Sequence, residues 1–443
     1  MRTERAIAWL RGTVIAVAVL AVAGMVVLWP RGEAPDLGVR PSTFVDATVR
    51  SVERGDCDSV EVPGALSGCR VVTMELTSGE QDGRVSTFVV MDTQLEVPEL
   101  HEGDRVVLLD TGSTVEETRY TFVDFQRGTP LVALTVLFVI VVVAFGRLRG
   151  LRALVGLAAS AAVLVLFIVP ALLRDQPALP VALVGTVVIA FLALYLAHGL
   201  NVPTTVALAG TLVSLLIIAL LSVVVSATTH LTGLGDDTAQ TLRITASDLD
   251  LRGLLIAGMI VGALGVLDDV TVTQVSAVQA LLRARPDIGR RALYSEALHI
   301  GRDHIASTVN TLILAYAGAA LPLLLFFAEG FAPTSRLITG ELVAVEIVRM
   351  MVGSIGLVLS VPITTALAAV VVTPAHAMAG HSHGHDHGPA VPSTPEASLP
   401  ERPDDATGPA DGPEGTDGSR DDGDPDGPTG GWERFRPRDD LDL

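Results

Sequence analysis

The sequence contains no lysine, so all 30 of its basic residues are arginine. It holds two cysteines, Cys57 and Cys69. No nucleophile elbow, P-loop, HExxH pair or CxxC occurs, which leaves a familiar hydrolase, ATPase or redox role without a motif. A protein that is not an enzyme is expected, and no cofactor is indicated. Basic residues are scarce in the polar segments. Residues 31–127 hold 19 acids against 9 arginines, and residues 375–443 hold 16 against 5, so the formal net charge of −19 resides there. Acidic soluble parts argue against nucleic acid as a partner.

What is abundant is apolar sequence in long runs. Thr13–Trp29, Leu131–Phe145, Leu151–Leu173, Ala178–Ala197, Val202–Ala227, Gly253–Leu267, Ile305–Phe327 and Met350–Val372 are each about 15 to 26 residues long, and about 20 apolar residues cross a bilayer core as one helix. Helices satisfy their own backbone in hydrocarbon. The expected fold class is therefore an all-α polytopic bundle of about eight transmembrane helices, with the lipid bilayer as its first partner. Residues 1–30 read as a signal anchor. Arg2, Arg5 and Arg11 precede the apolar run, and the small-residue cleavage pattern is missing. Residues 129–372 read as a seven-helix membrane domain.

Between these, residues 31–128 change period. Thr43–Val52, Arg70–Thr77, Arg84–Met91, Arg105–Asp110 and Thr118–Phe125 alternate apolar and polar residues, with turn signals such as Glu102-Gly103-Asp104 between them. This is strand patterning. A small all-β domain is expected, OB-like in form. Cys57 and Cys69 both fall here. They close as a disulfide if the domain faces an oxidising exterior; otherwise they are two free thiols.

Arginine marks the cytoplasmic side of short loops. Arg147, Arg149 and Arg152 follow the second run, and Arg283, Arg285, Arg290, Arg291 and Arg302 crowd the longest basic loop. Eight spans with both termini inside satisfy every loop and put the β domain outside a bacterial cytoplasmic membrane. Residues 373–443 read as a disordered cytoplasmic tail, too poor in apolar residues to offset chain entropy. Its His381, His383, His385 and His387 are separated by single residues and offer at best a weak metal buffer.

Two polar clusters interrupt the apolar runs. After Gly258 and Gly262, whose GxxxG spacing predicts close helix packing, come Asp268, Asp269, Thr271, Thr273 and Gln274. Paired carboxylates with hydroxyl and amide oxygens nearby suit a proton or a hard cation such as Mg²⁺ or Ca²⁺. The plainer reading is that Asp268 or Asp269 caps a cytoplasmic helix. In the second cluster, His299, Asp303, Ser307, Asn310 and Thr311 share one helical face, beside His304. A polar stripe entering the membrane is expected to face the bundle interior or a wet cavity. It serves there either in interhelical hydrogen bonds or as a solute path.

In the stretches Leu251–Leu255, Gly262–Gln274, Arg290–Tyr294 and Ile300–Gly318 the chain resembles the YibE/F-like family of bacterial membrane proteins, with Leu154–Gly156 and Thr205–Thr211 also fitting. The resemblance runs over about residues 40–372. It implies a multi-span membrane protein and carries over no substrate and no catalytic residue. Two functions then stand against each other. One is a transporter or permease coupled to a cation or proton. The other is a non-transporting envelope scaffold whose outer β domain binds a protein partner. Either accommodates a homo-oligomer.

Overall fold

Apolar periodicity and its interruptions dictate the elements. The computed structural model describes residues 2–32, 43–55, 69–79, 81–91, 97–113, 119–235, 237–245, 249–328 and 339–378. The tail histidines and Cys57 lie outside the described residues; among the described residues no cysteine is a free thiol.

Helix α1 (Arg2–Val27) comes first. It buries Val14 and Ala21, and Gly24 lets it lie against Val184. Trp29, just past its end, stacks on Phe167 with ring centroids 5.9 Å apart. The strands follow as β1 (Thr43–Gly55), β2 (Cys69–Leu76), β3 (Val85–Met91), β4 (Arg105–Asp110) and β5 (Tyr120–Phe125). They form one antiparallel sheet in the order β3-β2-β1-β4-β5. Alternate residues Val45, Ala47 and Val49 of β1 and Val72, Met74 and Leu76 of β2 share a core with Phe88, Val106 and Leu108. That is the period-two pattern of a one-sided sheet. Bulges between Val49 and Ser51 and between Val107 and Leu108 add local twist, and the sheet curls into a half-barrel. Tyr120 at the start of β5 donates to Gln81 Oε1, just before β3, at 3.1 Å, drawing the two edges together.

Helix α2 (Gly128–Val163) passes into a π-helical turn, Leu164–Ile168, and then α3 (Val169–Leu173). Pro170 has no N–H to donate and its ring crowds the preceding turn, so the helix widens there. As one straight rod these 46 residues would measure roughly 69 Å, twice a bilayer core. They do not run straight. Arg147 has φ 51° and ψ −135°, outside helical space, and the chain doubles back so sharply that a side chain at Gly150 would strike the carbonyl of Val142. The expected division into Leu131–Phe145 and Leu151–Leu173 falls at this fold-back, with exposed Arg147, Arg149 and Arg152 at its tip.

The remaining helices are α4 (Ala178–His198), α5 (Val202–Thr228), α6 (Asp237–Thr245), α7 (Leu251–Ala284), α8 (Arg290–Ala319), α9 (Leu321–Ala328), α10 (Glu341–Val371) and α11 (Pro374–Met378). Asn201 caps α5 by accepting from Thr204 N at 2.8 Å, and Asp250 caps α7 by accepting from Gly253 N at 2.9 Å. Glu341 reaches from the first turn of α10 to Thr232 N and Gly233 N, each at 2.7 Å, and ties the loop after α5 to α10. The bundle core is Ile218, Ile260, Leu264, Leu267 and Leu208 with their neighbours.

Among the described residues six helical segments are long and apolar enough to cross a membrane: Glu4–Val27, Gly128–Leu173, Ala178–His198, Val202–Thr228, Leu251–Ala284 and Glu341–Val371. The protein is an integral, multi-pass membrane protein. Helix α8 is not among the six, because its charged start and polar stripe leave no apolar window long enough before it ends at Ala319. Order was expected to end at Val372, yet α11 follows. Its Ala377 is buried and accepts from Arg283 Nη1 at 3.3 Å.

Candidate functional site

The site is built on α7. Its expected span was Gly253–Leu267, but the helix runs unbroken to Ala284. Asp268 and Asp269 therefore lie mid-helix, where no N-terminus exists to be capped, and the capping reading is overturned.

Read in steps of three and four residues, one face of α7 carries Leu251, Leu254, Gly258, Val261, Gly265, Asp268, Val272, Val275 and Gln279. That spacing keeps residues on a single side of a helix, and every one of them lines a cavity. The first three border a pocket of about 300 Å³, walled also by α6 and by Glu346 and Arg349 of α10. The ion pair Glu346–Arg349 closes at 2.8 Å. Val261 to Val272 border a groove of about 600 Å³ between α7, α4 and the second half of α2. Val272, Val275 and Gln279 border a pocket of about 340 Å³ with His198, Asn201, Thr204, Ser276 and His376. His198 and Val272 belong to both of the last two cavities. His376 is oriented by Thr373, whose Oγ1 lies 2.8 Å from its Nδ1.

The groove holds both carboxylates. Asp268 is half-buried, Asp269 more exposed, and Asp268 Oδ1 is buried without a hydrogen-bond partner. Small residues open the space. Gly156 stands where a side chain would meet the Ala193 backbone at 3.6 Å, so α2 leans directly on α4. Gly258 and Gly265 have nothing within 4 Å of where a Cβ would sit, and Gly262 has only Tyr316 Oη at 3.8 Å. The close backbone packing expected of GxxxG is not seen here: Gly258 borders open space, and Gly262 meets α8 only through the end of the Tyr316 side chain. Close packing falls on other glycines. A side chain at Gly210 would collide with Thr364, at Gly356 with Ile218, and at Gly301 with Gln274 and Val361.

The oxygen cluster expected around the carboxylates separates. Thr271 turns inward to Thr211, with Oγ1 atoms 2.9 Å apart. Gln274 is buried and donates to Ala297 O at 2.7 Å, and Thr273 is exposed. The Thr271 hydroxyl also donates to the Asp268 backbone O at 3.2 Å; with Thr271 and Gln274 engaged in the packed interior no hard-cation cage forms, and among the described residues no group of three or more His, Cys, Asp or Glu could hold a metal. The second cluster does not join the first. α8 packs through Leu298, Ile305 and Val309 against Val266 and Val270 of α7 and Leu357 and Val361 of α10. The opposite face carries Asp303, Ser307, Asn310 and Thr311, all exposed, with His304 half-buried and its Nε2 without a partner. The stripe faces out of the bundle, contrary to expectation, because the apolar side of the same helix wins the packing.

Sequence reasoning missed the buried hydroxyls Thr211, Ser214, Ser222 and Ser226 of α5 and Ser360, Thr364 and Thr365 of α10. Their helical spacing within apolar runs was the available signal. It also missed His198, a lone histidine at the end of a run.

The bundle from the first turns of α2 to the end of α10 corresponds to a known family: the model of the YibE/F-like proteins matches residues 134–374, more than half of the chain. The chain belongs to the YibE/F-like family. The match covers the groove, both end pockets except His376, and every buried hydroxyl above; α1 and the half-barrel lie outside it. No curated protein and no solved structure matches the chain.

Proposed function

We propose that this YibE/F-like protein is a permease that passes its solute along the cavity-lining face of α7, coupled to a proton or cation at Asp268 and Asp269. One observation carries the reading. A single stripe of α7 touches a pocket toward each end of the helix and a carboxylate-bearing groove between them. Ionisable groups at membrane depth are costly and mark solute or proton paths. The Glu346–Arg349 pair stands at one mouth and His198 and His376 at the other. The test is flux in proteoliposomes. Asp268→Asn with Asp269→Asn abolishes uptake or efflux while the protein inserts normally; unchanged flux would overturn the site.

The arginines at the α2 fold-back and between α7 and α8 support a cytoplasmic-membrane topology with both termini inside and the β domain, OB-like in its strand order, outside. Eight crossings follow if both halves of α2 and also α8 span. The packing of α8 supports its crossing: Gly301 lies against Gln274 and Val361, and Tyr316 lies near Gly262, so α8 runs antiparallel beside α7 at the same depth.

The scaffold reading has its own observation. Val85 and Val123 stand exposed on the two edge strands β3 and β5, where an added strand from a partner would pair. Deleting residues 40–125 separates the readings. Loss of a co-purifying partner, with no flux by the intact protein, favours the scaffold.

A further inference from the structure

We infer that the groove between α2, α4 and α7 binds an amphipathic organic cation: an apolar body carrying at least one positive charge. The inference rests on the permease reading for its purpose, and on the groove alone for its chemistry.

Size comes first. About 600 Å³ lies within the range of small-molecule sites, which are mostly apolar with a few convergent polar groups. The walls are Leu157, Leu164, Ile189, Leu194, Val261 and Leu264, widened by alanines and Gly156 and Gly265. Charge comes second. The lining has two carboxylates and no arginine, and His198 is its remaining ionisable group. Neither Asp268 nor Asp269 takes part in an ion pair among the described residues. Asp268 is half-buried and its Oδ1 is shielded from water without a partner, so a cation supplied from outside gains more here than at an open surface.

The same lining argues against a bare metal ion. Mg²⁺ and Ca²⁺ require about six to eight oxygen ligands. Beyond the two carboxylates the groove offers one side-chain hydroxyl, Ser160, which already donates to Gly156 O at 2.8 Å. An apolar wall cannot replace a hydration shell, but it does replace the water around a hydrophobic body. An uncharged lipid tail would fit the walls and leave the carboxylates uncompensated.

The probe is tetraphenylphosphonium, measured by equilibrium dialysis on the full chain in nanodiscs of neutral lipid. Saturable binding is expected, weakened at least tenfold by Asp268→Asn with Asp269→Asn. Gly265→Leu gives a second, independent variant. Its Cβ has open space, so the fold is retained, while the branched side chain fills the groove and binding drops by a similar factor. Binding no greater than to empty nanodiscs, or binding unchanged in both variants, overturns the proposal. So does displacement of the probe by Mg²⁺ or Ca²⁺ at equal affinity. Because no flux is measured, the two readings fail separately. Binding without transport sinks the permease and keeps the site, whereas carboxylate-dependent flux without probe binding sinks the ligand class alone.

Discussion

The two sides of α7 are made of similar residues and packed in opposite ways. Toward α5 and α10, Thr271 meets Thr211, and those two helices interlock with each other, Gly210 making room for Thr364 and Gly356 for Ile218. On the open side Gly265 borders the groove toward α2 and α4, Gly258 borders the pocket walled by α6 and α10, and Asp268 has no partner for Oδ1. Glycine in a membrane helix thus has two uses. It can bring backbones together, or it can leave space for something else. Which one applies depends on the neighbouring helix and cannot be read from the spacing of the glycines.

The largest effect separates those uses. Gly356→Leu drives a side chain into Ile218. Overpacking costs about 1–3 kcal/mol and at times more, so thermal unfolding in detergent should drop sharply or folded protein should be lost. Gly258→Leu should shift it by no more than about 0.5 kcal/mol. Equal losses would erase the contrast between packed and open glycines.

The carboxylates sharpen it from the other direction. Asp268→Asn should leave thermal unfolding unchanged or raised, since it removes a charge that no protein group compensates. A marked fall in the midpoint would mean that Asp268 belongs to the packed side after all.

Smaller effects test the frame. Asp250→Ala removes the cap of α7 and should cost about 1 kcal/mol. Thr271→Val breaks the hydroxyl pair with Thr211 and should cost about 0.6 kcal/mol, the average for such bonds between membrane helices.

The smallest belongs to the half-barrel. The Arg119 side-chain hydrogen bond, at 3.0 Å from Asp110 Oδ2, holds the Asp110 carboxyl below its ordinary value of 3.8. A depressed carboxyl contributes stability above its unfolded value, and that contribution is lost as pH falls through the folded one. The half-barrel should therefore weaken below about pH 4, by less than about 1 kcal/mol for this partly exposed pair. Arg119→Gln should remove that part of the acid sensitivity in a pH-resolved hydrogen-exchange measurement.

Much of the fold was legible. Strand alternation placed β1 to β5 to within a few residues, because a one-sided sheet writes its burial into every second position. Most of the long apolar runs returned as helices, and the fold-back at Arg147 fell in the arginine-rich gap between two of them. The site was legible only in part. Asp268 and Asp269 stood out as charges in apolar surroundings. The partners given to them, Thr271, Thr273 and Gln274, were chosen by nearness in sequence, and the neighbouring helices claim two of them, Thr271 for Thr211 and Gln274 for Ala297 O.

The amino-acid sequence by itself determined that this chain enters a membrane many times, that a small β domain separates its first helix from the rest, and that two carboxylates directly follow an apolar run. Those conclusions need only local periodicity and the cost of polar groups in hydrocarbon. Only the tertiary structure decided which face of α7 is packed and which is open, that His198 joins two cavities, and that the polar stripe of α8 looks outward. Each of these depends on which helix lies beside which, and apolar helices in lipid can pair in many ways at similar free energy, so the choice is made by shape fitting across the whole bundle.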